Sequence, residues 1–178
     1  RKETVKMANE KNPPPFLEFL ERNRENPGVM ADLRCALIPS LEYRSWQYIA
    51  RFCKLEDDRE RTIAATVCAA FGIGPESAGE RENMGDVMGR IAYGDNGENG
   101  LSSFMLYFQR LLACNTVQEL APQLHGIFLA ARSRNVLVNH KNLWYDLFSW
   151  SDRVKCRWAS HYWSYARKAE NAGGGSHE

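Results

Sequence analysis

Apolar residues recur at helical spacing along almost the whole chain, and this periodicity limits the possible folds more than any other feature. Val117, Leu120 and Leu124, for example, fall on one side of a helix. Alternating apolar and polar residues, the pattern of a half-buried strand, are scarce, and only residues 135–138 suggest one. We therefore predict an all-α fold.

Length and glycine content predict how the helices are grouped. A chain of 178 residues fits one domain or two small lobes that share a core. The stretch 94–100 contains three glycines and is the clearest break in the helical pattern. The expected organisation is a flexible segment 1–12, an N-terminal helical lobe 13–93, a glycine-rich linker loop 94–100, a C-terminal helical lobe 101–170 and a flexible tail 171–178.

Local signals predict where individual helices begin and end. Thr116 followed by Glu119 fits a capping box, and Asn139 is expected to cap the helix that follows it. Gly72 is expected to end the helix before it, and Pro27 with its neighbouring glycine is expected to close the first helix.

Basic residues are concentrated near the C-terminal end. The chain has a net charge of +1, but residues 132–168 carry eight Lys or Arg side chains against two acidic ones. On a helix that advances about 100° per residue, four of these cations fall within about 100° of one another: Arg153, Arg157, Arg167 and Lys168. A solvated surface is one interpretation, and contact with nucleic-acid phosphates, which suit the planar arginine fork, is the other.

No motif of a known catalytic or metal site accompanies the reactive side chains. The chain has four histidines and five cysteines, but no HExxH, CxxC or phosphate-binding glycine pattern in the right context. We predict no enzymatic activity, no metal and no cofactor. A helical hydrolase that uses Cys156 or His161 is the open alternative, with a Cys–His pair assembled across the fold, because a spacing of five residues points these two side chains about 140° apart on one helix. Unpaired cysteines and the lack of a long apolar run predict a cytoplasmic protein without a membrane span or secretory signal.

Several short motifs resemble, in their order and spacing, the CasB family, the small subunit of the type I-E CRISPR surveillance complex Cascade. The resemblance extends over about residues 14–165. The motifs of the C-terminal half are Phe108-Gln109-Arg110-Leu111-Leu112, Glu119-Leu120, Leu143 with Asp146-Leu147, Trp150, Arg157-Trp158-Ala159 and Tyr162-Trp163. They are preceded by Phe16-Leu17, Ala31-Asp32-Leu33-Arg34 and Met88-Gly89-Arg90.

The resemblance implies an all-helical, two-lobed, non-catalytic subunit that acts in antiviral defence. In that family two copies lie head-to-tail against the CasC backbone subunits of Cascade, which also contains a large subunit and the crRNA–DNA heteroduplex. Their basic side chains contact the displaced non-target single-stranded DNA and stabilise the R-loop. A protein–protein scaffold with no DNA face of its own is the alternative.

The candidate DNA-contacting residues come from two sources. The resemblance implies Arg34, Arg90, Arg110, Arg132, Arg153 and Arg157. The clustering of charge adds Arg134, Lys141 and Lys168. Arg90 and Arg110 have a structural alternative, in which each pairs with an acidic residue between the lobes.

Overall fold

The computed structural model describes residues 14–173, and the side chains of all of these except residues 95, 166 and 168–173. Eight helices lie in this part of the chain: α1 (Pro15–Arg22), α2 (Pro27–Arg34), α3 (Tyr43–Ile49), α4 (Asp58–Ile73), α5 (Met84–Ala113), α6 (Val117–Ser133), α7 (His140–Phe148) and α8 (Asp152–Gly173). Within the same residues there is no strand, only an isolated bridge between Ser77 and Val138. The prediction of an all-α fold is confirmed.

Two of the predicted helix starts agree with the structure. Thr116 and Glu119 form the capping box of α6, in which the Thr116 hydroxyl accepts a hydrogen bond from the Glu119 amide at 3.2 Å. The side chain of Asn139 caps α7 by accepting from the Asn142 amide at 2.8 Å. Each cap satisfies an amide that has no partner inside the helix.

Two of the predicted helix ends do not. Pro27 opens α2 instead of closing α1, because Asn26 caps α2 and proline at the first position loses no hydrogen bond. Gly72 lies inside α4, where an added Cβ atom would lie 2.7 Å from the backbone nitrogen of Arg34. Glycine is therefore needed at residue 72 for the close approach of α2, and α4 continues to Ile73.

The stretch 94–100 also differs from the loop that the sequence predicts. Residues on both sides of its centre are helical, and α5 is broken only at Asn96 and Gly97. The φ angle of Gly97 is 58°, in the left-handed region that glycine adopts without strain. The change of chain direction needs only these two residues, so the others continue the helix.

A single hydrophobic cluster, from Phe16 to Tyr162, holds the helices together. The long buried helix α4 packs against α2, α3, α6 and α7, while α5 packs against α6 and α8. Helices from both sides of 94–100 therefore share one core, and the division into two lobes stays a prediction. Among the described residues no helix is long and apolar enough to cross a membrane.

Candidate nucleic-acid interface

Three side chains along one side of α8 join this helix to α5 and α7. They lie four residues, or about one turn, apart; we call Arg157, His161 and Tyr165 the α8 stripe. Arg157 contacts Asp146 of α7. His161 Nδ1 lies 2.6 Å from a carboxylate oxygen of Asp86 in α5. The α8 stripe fixes how the rest of α8 is presented to solvent.

The contact between Arg157 and Asp146 joins a half-exposed cation to a buried carboxylate. The Asp146 side chain is 5% exposed and that of Arg157 is 44% exposed. The second oxygen of Asp146 accepts a hydrogen bond from the indole Nε1 of Trp158 at 2.6 Å. Burial raises the pKa of Asp146, and the Trp158 hydrogen bond and the Arg157 charge oppose that rise. Arg157 is thus held at the surface by an anchored anion.

Arg90 makes more hydrogen bonds inside the protein than Arg157 does. Its two terminal nitrogens each donate to Glu82 at 2.7 Å, and its Nε donates to the hydroxyl of Tyr165 at 2.9 Å. The Glu82 hydrogen bond is the main reason why the pKa of Arg90 is raised. The acid that pairs with Arg90 precedes α5 and lies in the same predicted lobe.

Arg34 and Arg132 meet at the C-terminal end of α4. Arg34 Nε donates to the Gly72 carbonyl at 2.7 Å, and an Arg132 terminal nitrogen donates to the Ile73 carbonyl at 2.6 Å. These carbonyls have no partner within the helix, so the two cations also complement the negative end of the helix dipole. The structure brings these two predicted site residues together, although they are far apart in the sequence.

Arg110 and Arg153 are predicted site residues whose side chains have no partner among the described residues. Both are exposed, and within residues 14–173 their guanidinium groups make no hydrogen bond or ion pair. Arg167 has the same properties and was placed on the basic side of α8 by helical spacing, but not among the candidate site residues. Helical spacing was the signal that could have added it.

The three candidates added from charge clustering have different surroundings. Arg134 is exposed at the end of α6 and contacts the hydroxyl of Ser133 at 3.3 Å. Lys141 is half-buried in the first turn of α7. The side chain of Lys168 lies outside the described residues.

Among the described residues, the Cys156 and His161 side chains are not paired with each other and no metal-binding cluster is present. His161 pairs with Asp86, and no hydrogen bond joins it to the exposed Cys156 in this part of the chain. No group of three or more His, Cys, Asp or Glu side chains is placed to hold a metal ion there. The acidic residues at the start of α4 have local partners: Asp57 caps the helix and Asp58 pairs with Arg61.

These features define a small helical protein with exposed arginines, two of which have no partner among the described residues and are predicted site residues. The family model described as CRISPR-associated protein Cse2 matches residues 29–163, which is more than half of the chain. The chain therefore belongs to the Cse2 family, also called CasB, whose members are small, structural subunits of type I-E CRISPR Cascade. No curated protein and no solved structure matches it.

Proposed function

We propose that this subunit binds the displaced non-target DNA strand within Cascade and so stabilises the R-loop during crRNA-guided recognition. The observation that carries this proposal is the pair of exposed guanidinium groups of Arg110 and Arg153, which have no internal partner among the described residues. The surplus of basic residues in 132–168 supports it. Arginine donors in a planar fork match the geometry of phosphate oxygens.

Phosphate contacts without base readout suit this role. The guide RNA supplies sequence specificity by base pairing, so a protein that holds the displaced strand needs to recognise only its backbone. Formation of the R-loop is a nearly balanced exchange of one duplex for another. A few phosphate contacts that keep the displaced strand from re-annealing therefore shift this equilibrium.

The proposal includes specific neighbours. The partners are the other Cascade subunits (the CasC backbone subunits and the large subunit) and a second copy of this chain in head-to-tail contact, with the crRNA–DNA heteroduplex nearby. The place of action is the cytoplasm, and the biological role is antiviral defence. Membership of a Cascade subunit family supports these partners as a class.

A second candidate function is that of a scaffold with no DNA face of its own. The observation that favours it is the internal use of four predicted site residues: Arg34, Arg90, Arg132 and Arg157. In that case the remaining cations would contact acidic groups of neighbouring subunits, and the isolated chain would not bind DNA.

Fluorescence anisotropy with labelled single-stranded DNA of mixed sequence, measured over a series of salt concentrations, separates the two functions. The variant is Arg110→Gln/Arg153→Gln, and the control is Arg22→Gln, an exposed arginine that pairs with Glu18 on α1. Loss of two phosphate contacts should reduce the slope of log Kobs against log salt by about 1.4. The control should keep the wild-type slope. Absence of binding at low salt, or an unchanged slope in the double variant, would contradict the proposal.

A further inference from the structure

We infer that Asp146 is a positioning residue, whose buried carboxylate holds the Arg157 guanidinium in place for a phosphate of single-stranded DNA. This inference rests on the proposed function, because it describes how Arg157, one of the DNA-contacting residues that the family resemblance implies, is held for binding. It gives an acidic residue an indirect role in DNA binding, although the negative charge of Asp146 by itself repels the phosphates of DNA.

The geometry leaves the solvent side of Arg157 open. Its only described contact is the hydrogen bond from Nη2 to Asp146 Oδ1. A guanidinium has five N–H donors, so most of its donors remain for a ligand. At 44% side-chain exposure, against 5% for Asp146, Arg157 can be reached from solvent while its carboxylate partner cannot. A phosphate would approach Arg157 from the side away from Asp146.

The carboxylate itself cannot follow Arg157 outward. Trp158, the next residue along α8, donates its indole N–H to Asp146 Oδ2 at 2.6 Å, and the Trp158 side chain is fully buried. Asp146 is therefore held through one oxygen and holds Arg157 through the other. An arginine that is already fixed loses less conformational freedom when it binds a phosphate.

Arg90 provides the contrast within the same molecule. It is also paired with a carboxylate, that of Glu82, but it donates through both terminal nitrogens and also through Nε to Tyr165. Three of its donors are thus used internally, against one for Arg157. The two arginines therefore differ in how many donors their internal partners leave for a ligand.

The substitution Asp146→Asn tests this inference by whether it raises or lowers the Kd for single-stranded DNA. Asparagine keeps an oxygen for the Trp158 indole, removes one negative charge and weakens the hold on Arg157. If Asp146 acts only through charge, its removal strengthens DNA binding. If Asp146 positions Arg157, the Kd for single-stranded DNA rises by about fivefold although the protein has become more positive. An unchanged or lower Kd would overturn the inference.

A double-mutant cycle distinguishes positioning from general support of α8. In an Arg157→Gln background, Asp146→Asn should cause no further loss of affinity, because the group that it positions is gone. A further loss in that background would overturn the inference in favour of a purely structural role. Asp86→Asn is the matched control, since Asp86 also anchors α8 but through His161. It should not raise the Kd.

A third variant keeps the test valid if Asp146→Asn fails to fold, which its melting temperature would show. Arg157→Lys retains the charge and leaves the Asp146–Trp158 contact in place, but the single ammonium cannot face both the carboxylate and a phosphate as the fork does. Its Kd should be close to that of Arg157→Gln, and a wild-type Kd would overturn the inference.

The two proposals fail in different ways. If the wild type binds no DNA, the proposed function fails and this inference falls with it. If DNA binding depends on Arg153 but not on Asp146, only the positioning role is wrong.

Discussion

His140 opens α7 with its imidazole ring inside the protein. The residue is 3% exposed, and its ring centroid lies 5.2 Å from that of Phe71 in an edge contact. Burial lowers the pKa of His140 to about 4, against a smaller opposing effect of the Gly74 and Ala70 carbonyl groups. The imidazole is therefore neutral in the folded protein at pH 7.

The first prediction concerns the stability of the fold in acid. In the unfolded chain the same histidine takes up a proton near its ordinary pKa of about 6.5. The stability that depends on neutral His140 is therefore present above about pH 6.5 and is lost as the pH falls towards 4, by about 3 kcal/mol in total. His140→Leu should remove this part of the loss, as measured by urea unfolding at pH 7 and at pH 4.5.

The half-exposed His125 of α6 supplies the control for that measurement. His125→Leu, measured at the same two pH values, controls for the effect of replacing a histidine by leucine elsewhere in the fold. An equally large acid-side loss in His140→Leu and in the wild type would show that another group is responsible.

The sequence locates the arginines but not their partners. Helical spacing places Arg153 and Arg167 on an exposed side of α8, and the structure agrees. The sequence does not show that Arg34 and Arg132 donate to carbonyls at the end of α4. Every residue has a backbone carbonyl, so no residue type in the sequence marks such an acceptor. The Asp146 contact was missed for a related reason: it depends on how α7 turns back against α8.

At the scale of a helix, signals confined to a few residues could be predicted from the sequence. The capping box of Thr116 and Glu119 spans one turn, and every atom in it belongs to that turn. Gly72 resembles a helix end by the same local criteria, but it is set against Arg34 and Leu33 in another helix. A single sequence does not show whether a glycine ends a helix or allows a distant segment to pack closely against it.

The second helix-scale feature is the close contact of α5 with α8 at a glycine. A Cβ atom on Gly85 would lie 2.0 Å from the carbonyl oxygen of Trp158. Gly85→Ala should therefore force α8 away from α5 and reduce the free energy of unfolding by about 2 kcal/mol or more. Urea denaturation with a fixed m-value measures this change.

Gly94 provides a matched control on the same helix. It has open space where a Cβ would be added. Gly94→Ala should be neutral or stabilise the protein by up to about 1 kcal/mol, because alanine favours the helix. Equal effects of the two alanine substitutions would mean that the α5–α8 approach is not tight.

At the scale of the whole molecule, composition and periodicity were enough for the all-α class, and the order of short motifs was enough for the family. The division of the chain into two lobes stays a prediction, because α4 also packs against helices that follow the 94–100 stretch. Packing of this kind is decided by side-chain shape across the core, which helical periodicity does not encode.

The distribution of charge over the whole chain determines how many basic side chains are available to a ligand. Residues 132–168 hold the surplus positive charge, and two of their eight basic side chains, Arg132 and Arg157, bind groups of neighbouring helices. The part left for a ligand is a small number of exposed arginines on a fixed framework. Such a surface suits weak, sequence-independent binding that becomes effective when other subunits place the DNA strand beside it.

Charge reversal in the assembled complex tests the central claim most directly. Cascade containing Arg110→Glu/Arg153→Glu would be compared with the wild-type complex for subunit composition and for nuclease or permanganate sensitivity of the displaced strand in the R-loop. If these arginines hold the displaced strand, the variant complex should assemble normally. Its displaced strand should be more sensitive to nuclease or permanganate than in the wild-type complex, and its R-loop should be less stable. Loss of the subunit from the complex, or an equally protected strand in both complexes, would contradict it.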